Sequence, residues 1–153
     1  MLLFVNAFKK EIEQGHMAIT FPTVDYFSDD TYALNIMSVL LGGGLNSRLF
    51  QSIREEKGLA YSIYSYVETF YSTGLFSTYA ATNANQVEEM YSAIKDEILL
   101  FKDKGISELE LIEVKEQIKS NLIIGMENMS SRMSHYGKGE LLLNRIRLQD
   151  DML

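Results

Sequence analysis

The sequence predicts an α+β protein, a two-layer α/β sandwich with a mostly antiparallel sheet covered on one face by helices. Three observations predict this class. Residues 16–21 alternate apolar and polar side chains, as a half-buried strand does. Stretches 61–68 and 75–81 are rich in β-branched and aromatic residues and flank a short Ser-Thr-Gly turn, which indicates a hairpin. Segments with helical spacing stand before and after this hairpin, an order typical of helices packed on one sheet.

The first strand, "HMAITF", is followed by Pro22, and we expect this proline to end it. Ser28 is suited to cap the next helix, and Asp29 and Asp30 suit the positive end of its dipole. Apolar residues at three- and four-residue spacing continue to Leu41, so this helix is expected to be largely buried.

A second, shorter helix is predicted from about Arg48 to Lys57, capped by Asn46 or Ser47 and ended by Gly58. The predicted hairpin comes directly after it.

Two capping-box patterns then mark two helix starts. Asn85 with Glu88 predicts one, and Ser107 with Glu110 predicts the other. The second helix either continues or kinks near Gly125, and the tail after it is expected to be partly helical at most.

The composition of the 153 residues is that of one soluble domain, and it excludes several classes of protein. No cysteine is present, so disulfides and thiolate chemistry are excluded, and the two histidines lack metal-ligand spacing. A net charge of −7 argues against nucleic acid as a partner. No apolar run approaches the roughly 18 residues that cross a membrane. The start "MLLFVNAFKK" does not resemble a signal peptide, so a cytoplasmic location is expected.

The triplet Gly42–Gly44 allows several interpretations. A phosphate-binding loop would lie between a strand and a helix and carry a Lys, whereas this triplet follows a helix. A flexible helix C-cap is the simplest alternative, but a cap needs only one glycine. Backbone that passes close to another group would explain the other two.

Three polar side chains after the triplet are candidates for function. Arg48 projects away from the apolar face of its helix and is expected to be a solvated surface charge. Arg54 lies at the flank of that face, and its position alone favours an ion pair with a glutamate. The glutamates in reach are Glu55, Glu56 and Glu68. Tyr61 stands where the helix gives way to a strand and a hydroxyl can be exposed.

Taken together, "LGGGLNSRLFQSIREEKGLAYSIYS" resembles the C-terminal half of zinc metallopeptidases of the pitrilysin and mitochondrial processing peptidase family. "HMAITFP" and "TGLFSTYAATNANQVEEM" match further family segments, so the resemblance extends over most of the chain. It implies the processing-peptidase-like metallohydrolase fold, with two homologous domains facing each other across a cavity. The N-terminal domain binds zinc through an H-x-x-E-H motif.

The resemblance also implies roles for individual residues. Arg54 and Tyr61 keep the seven-residue spacing of the Arg and Tyr that bind the peptide and polarise its scissile carbonyl. Gly42, Gly43 and Gly44 match the start of the glycine-rich segment near the substrate entrance.

This sequence contains no H-x-x-E-H motif. We therefore expect residues 1–153 to be a fragment of the substrate-binding domain, inactive alone and binding no metal itself. Its expected partners are the N-terminal zinc domain of the same protein, a polypeptide substrate and, as one possibility, further copies of itself. A non-catalytic scaffold subunit of the same family is the alternative, and a phosphate-binding module is a more distant one.

Overall fold

The structure is a computed structural model that describes residues 13–146. The sheet has the three antiparallel strands β1 (Gln14–Thr23), β2 (Ser62–Thr69) and β3 (Gly74–Asn83), in the order β1-β3-β2. The helices are α1 (Asp30–Gly42), a π-helix (Phe50–Glu56), a 3₁₀ turn (Ala84–Gln86), α2 (Val87–Lys104), α3 (Glu108–Glu127) and α4 (Met129–Leu143). This architecture confirms the predicted α+β class.

The pairing of the strands decides which side chains share a face. Ala80 of β3 lies opposite Met17 and Ile63, so these three point into the same layer. Helices α1 and α2 and the π-helix cover this inner face, and the main core forms there. The most completely buried core side chains are Leu49, Ile53, Met90 and Ile94. The opposite face carries His16, Tyr79 and Tyr64, with the two tyrosine rings 5.0 Å apart.

Two expectations about the first third of the chain are wrong. Pro22 does not end the first strand, because β1 continues to Thr23. Since β1 is an edge strand among the described residues, the missing N–H of a proline is tolerated there. Helix α1 is not largely buried: Tyr32 in its first turn is 56% exposed, and its buried residues all lie between Ser38 and Gly42. Only the C-terminal part of α1 therefore lies deep in the fold.

Only some of the helix ends predicted from the sequence are present in the structure. Ser107 and Glu110 form the complete predicted capping box at the start of α3. The box predicted at Asn85 is absent, because the 3₁₀ turn takes up this residue and α2 begins at Val87. The break between α3 and α4 falls at Asn128, whose Oδ1 accepts hydrogen bonds from the backbone N–H groups of Ser130 and Ser131. A side chain that caps the following helix, and not a flexible glycine, therefore sets this break.

Candidate functional site

The candidate site is built on the turn that joins the π-helix to β2. The N–H of Leu59 donates to the carbonyl of Ile53 at 2.9 Å, which closes the chain back on itself. Gly58 occupies the left-handed region with φ of 63°, as the predicted helix end requires. Ile53, Leu59 and Ala60 are all buried. Arg54 and Tyr61 thus project from a turn whose backbone is anchored in the core.

Strand β3 holds the second half of this turn. The hydroxyl of Thr82 donates to the carbonyl of Leu59 at 2.5 Å, and the N–H of Tyr61 donates to the carbonyl of Ala81 at 2.8 Å. Thr82 is 1% exposed, so its bond is shielded from water. The position of Tyr61 is therefore set by backbone as well as side-chain hydrogen bonds.

The side chain of Tyr61 is 52% exposed, but its hydroxyl has a partner. It donates to Oδ1 of Asn83 at 2.6 Å, and Nδ2 of Asn83 donates to Oε1 of Gln86 at 2.9 Å. Asn83 and Gln86 were not predicted from the sequence. The contact of Asn83 with Tyr61 depends on the register that pairs Ser62 with Ala81, which no local motif specifies.

Arg54 is exposed, and its guanidinium carbon lies 4.7 Å from the centre of the Phe50 ring. Within residues 13–146 it forms no ion pair, so the pairing with Glu55, Glu56 or Glu68 that its position favoured is wrong. Residues four apart lie on one side of a helix, and the guanidinium of Arg54 accordingly lies over the ring of Phe50. Its guanidinium is available to a ligand.

Arg48 has the opposite environment, and the expectation of a solvated charge is wrong. Its Nη2 donates to Oε1 of Glu110 at 2.8 Å and to the carbonyl of Gly105 at 3.0 Å. The Phe101 ring centre lies 4.8 Å from its guanidinium carbon, and the side chain is only 20% exposed. The end of α2, the α2–α3 connection and the start of α3 supply these partners: Phe101, Gly105 and Glu110 respectively.

The groups around Glu110 lower the pKa of its carboxyl. The backbone N–H of Ser107, the guanidinium of Arg48 and the Ser107 hydroxyl, in that order, stabilise its carboxylate. Together they lower the pKa of Glu110 from 4.5 to about 2. The Glu110 carboxylate is thus ionised at neutral pH, and its bond with Arg48 acts as a structural clamp.

The glycine triplet is packed against the sheet. A Cβ on Gly42 would collide with the backbone of Tyr64 and Ser65, so the close approach of α1 to β2 requires glycine here. The carbonyl of Gly43 accepts a bond from Nε2 of Gln117 at 3.3 Å, and the carbonyl of Gly44 accepts one from the Ser47 hydroxyl at 2.7 Å. The close backbone passage considered as an explanation for the extra glycines is confirmed at Gly42.

Two of the backbone N–H groups that a phosphate cradle at the triplet would use are engaged within the loop. Such a cradle needs several free N–H groups pointing at the anion. The N–H of Gly43 instead donates to the carbonyl of Val39, and that of Ser47 donates to the carbonyl of Gly44.

Two grooves adjoin the triplet. The larger, of about 770 Å³, lies between the segment Gly44–Arg48 and α3. The smaller, of about 420 Å³, is lined by the triplet, Phe50 and the β2 residues Ile63–Ser65. Because the ring of Phe50 also contacts Arg54, the smaller groove connects the triplet to the exposed guanidinium. Gly42–Gly44 line this groove and Arg54 contacts its Phe50 wall, whereas Tyr61 is not among the lining residues.

The described part of the chain offers no set of ligands that fits a zinc ion. No group of three or more histidine, aspartate or glutamate side chains within residues 13–146 is placed to hold a metal. His16 instead shares a hydrogen bond of 2.6 Å with the Tyr79 hydroxyl. None of the helices between residues 13 and 146 is both long and apolar enough to span a bilayer.

The fold described above is shared with a family of peptidase domains. The family model described as the peptidase M16 inactive domain matches residues 4–118, and the chain belongs to this family. An uncharacterized zinc protease of Bacillus subtilis, YmxG, is 39% identical over 145 residues, which are 95% of this chain and 36% of that protein. The uncharacterized zinc protease SCO5738 of Streptomyces coelicolor is 33% identical over 97% of this chain. The chain spans about a third of the length of these relatives.

Solved structures show the same fold. A protease from Helicobacter pylori has a TM-score of 0.79 and 24% identity, covering 89% of this chain and 33% of the other. A chain in a structure of Complex III2 from Candida albicans also has a TM-score of 0.79, at 20% identity, and covers 94% of this chain and 36% of that one. The recognised family and the predicted fold are thereby confirmed, and a general peptidase-family role is supported.

Proposed function

We propose that this chain is the substrate-binding, non-metal part of a zinc metalloendopeptidase. In this proposal Arg54 and Tyr61 bind an extended polypeptide and polarise its scissile carbonyl, and Gly42–Gly44 line the path by which the polypeptide enters. The companion N-terminal domain, which lies outside this chain, holds the zinc. The relatives named zinc proteases, of which this chain covers about a third, support such a division.

The exposed guanidinium of Arg54 is the observation that most supports this proposal. Its guanidinium is exposed, has no carboxylate partner among residues 13–146 and rests on Phe50 at the margin of the smaller groove. An arginine that only stabilised the fold would be expected to have partners such as those of Arg48. The exposed charge and the anchored backbone beneath it are the properties of a residue that meets a ligand.

The chemistry follows from the charge that develops on the carbonyl oxygen. A phenol O–H and a guanidinium aimed at this oxygen stabilise the transition state more than the ground state. Zinc, where it is bound, supplies a Lewis acid and an activated water. Since no ligand set for zinc is present in residues 13–146, the part assigned to this chain is to bind and polarise the substrate.

Strand β2 supports the binding of an extended chain. It pairs only with β3 among the described strands, so its other edge is free in this part of the molecule. The smaller groove lies beside β2. A polypeptide that adds to a strand edge is held by backbone hydrogen bonds, which tolerates many sequences.

The test is a Tyr61→Phe substitution in the full-length protein, assayed with a library of internally quenched fluorogenic peptides. Losing one donor to the oxyanion should lower kcat/KM by about 10²-fold. Tyr71→Phe is the matched control, because Tyr71 lies in the hairpin turn and its ring contacts Phe27. Turnover by Tyr61→Phe at the wild-type rate would refute the assigned role.

A second candidate function is a non-catalytic scaffold subunit. The fold shared with a chain of the Complex III2 structure, together with the description of the family domain as inactive, supports it. The two candidates differ in the companion domain. An intact H-x-x-E-H motif and about one zinc per full-length protein, measured by atomic absorption after dialysis, would favour the peptidase. A motif without its histidines would favour the scaffold.

A further inference from the structure

Two side chains outside the catalytic pair form a short chain of hydrogen bonds that ends on Tyr61. Asn83 is the last residue of β3, and Gln86 lies in the 3₁₀ turn that follows. The Tyr61 hydroxyl donates to Asn83, and Asn83 donates to Gln86. Both hydrogen bonds of Asn83 involve its side-chain amide: Oδ1 accepts from Tyr61 and Nδ2 donates to Gln86.

The direction of these bonds fixes the Asn83 amide. Oε1 of Gln86 accepts from Nδ2, which leaves Oδ1 facing the phenol at 2.6 Å. With the amide turned over, Nδ2 would face the tyrosine, and two acceptor oxygens would face each other at Gln86. Reversing the Asn83 amide would require the Gln86 amide to turn as well, so the two amides together favour the orientation in which Asn83 accepts the phenol hydrogen.

The ring of Tyr61 needs such support. Its backbone is held by the bonds to Ala81 and, through Leu59, to Thr82, but its side chain is 52% exposed. A ring with this exposure would otherwise sample several rotamers. The bond to Asn83 holds the hydroxyl oxygen at one position before substrate arrives. The hydrogen can then turn about the C–O bond towards a substrate oxygen without the ring having to move.

We propose that Asn83 is a positioning residue that holds the Tyr61 hydroxyl in its working position, and that Gln86 orients the Asn83 amide. This inference rests on the proposed role of Tyr61. The chemistry involves neutral hydrogen bonds only, and Asn83 itself need not touch the substrate.

The experiment is a double-mutant cycle in the full-length protein, with the same quenched peptide library. Asn83→Ala should lower kcat/KM roughly five- to tenfold, the equivalent of about one hydrogen bond. In the Tyr61→Phe background the same substitution should cause no further loss, because the group through which Asn83 acts is already absent. Gln86→Ala should show a smaller effect of the same kind.

Rescue and control variants separate positioning from folding. Asn83→Asp should restore most of the activity, since a carboxylate accepts from the phenol and the Gln86 amide can turn to donate to it. Asn85→Ala, two residues further on in the 3₁₀ turn, is the matched control and should match wild type. The melting temperature of each variant shows whether folding has changed.

The outcomes separate this inference from the proposed function. If Tyr61→Phe reduces turnover but Asn83→Ala does not, the inference is wrong and the proposed function stands. An equal loss from Asn83→Ala with and without the Tyr61 hydroxyl would reveal a purely structural role and would also overturn the inference. Wild-type turnover by Tyr61→Phe would refute both.

Discussion

Arg48 and Arg54 lie six residues apart around one helical segment, yet their surroundings differ in nearly every respect. Arg48 bonds to a carboxylate and a backbone carbonyl and stacks on Phe101. Arg54 is exposed, its guanidinium lies over the ring of Phe50, and it forms no ion pair within residues 13–146. The first joins the helix to the α2–α3 connection, and the second leaves its charge at the margin of a groove.

This difference indicates how to distinguish structural from functional charge. A guanidinium whose donors are already used contributes to stability and has little left for a ligand. One that is held on an aromatic ring with free donors contributes little to folding and is preorganised for an anionic or carbonyl oxygen. The two arginines should consequently give opposite results in assays of activity and of stability.

The largest expected effect is on activity. Arg54→Ala in the full-length protein should lower kcat/KM by about 10²-fold, because the proposed function assigns this guanidinium to the developing oxyanion. Its melting temperature should stay within about 1 °C of wild type, as for a surface substitution. Lys57→Ala removes a positive charge from the same exposed segment and serves as the control. An equal loss in both variants would mean that only the local charge matters.

The next largest effect is on stability. Arg48→Ala should lower the free energy of unfolding by about 1–2 kcal/mol, because Glu110 and the Gly105 carbonyl lose a charged donor. Urea denaturation measures this loss. Lys119→Ala, which breaks the exposed pair with Glu116, should cost less than about 0.5 kcal/mol. If Arg48→Ala is no more destabilising than Lys119→Ala, the contrast between the two arginines fails.

The hydrogen bond from Thr82 to Leu59 allows a test of the backbone that supports the candidate site. Thr82→Val leaves the buried carbonyl of Leu59 without its donor and should cost about 1 kcal/mol of stability. Because the same bond holds the segment that bears Tyr61, kcat/KM should fall as well. Thr69→Val on β2 is the matched change and should leave activity unaltered. Reduced stability with full activity would show that the turn does not position Tyr61.

The smallest effect is the pH dependence of the Arg48–Glu110 clamp. The pKa of Glu110 is lower in the folded chain, at about 2, than its ordinary 4.5. Its stabilising contribution is thus fully present above pH 4.5 and is lost as the pH falls towards 2. The melting temperature of Glu110→Gln should lie slightly below wild type at pH 7 and approach it at pH 3. Solvent screening keeps the difference small, because the carboxylate side chain is 36% exposed. A gap that is constant with pH would contradict this account.

The sequence predicts much of the fold because its strongest signals are local. The alternation in "HMAITF", the hairpin turn and the Ser107–Glu110 box each specify an element without distant contacts. Pattern alone does not reveal the π-helix at Phe50–Glu56, because its sequence is equally suited to an α-helix. Arg54 lies over Phe50 in either case, because residues four apart share one side of both kinds of helix.

The candidate site was predictable to a lesser extent. The family resemblance selected Arg54, Tyr61 and the glycines, and their roles remain predictions. The contacts of Arg48 were missed because its partners lie about 60 residues later in the chain. Asn83 was missed for a similar reason, since it reaches Tyr61 only through the pairing of β2 with β3.

The hydrogen bond from Leu59 to Ile53 has a consequence for length variation. The length of the segment between Arg54 and Tyr61 is therefore fixed. The bond to Ile53 holds it to the helix, and the bond from Thr82 to Leu59 holds it to β3. A one-residue insertion or deletion there would break this closure or shift Tyr61 to the opposite side of its strand. The hairpin turn at residues 70–73 is bonded at Phe70, but its tip at Tyr71 and Ser72 is exposed and is therefore more tolerant of insertions. Engineered length changes should therefore be tolerated in that turn. Between Arg54 and Tyr61 they should abolish the proposed peptidase activity.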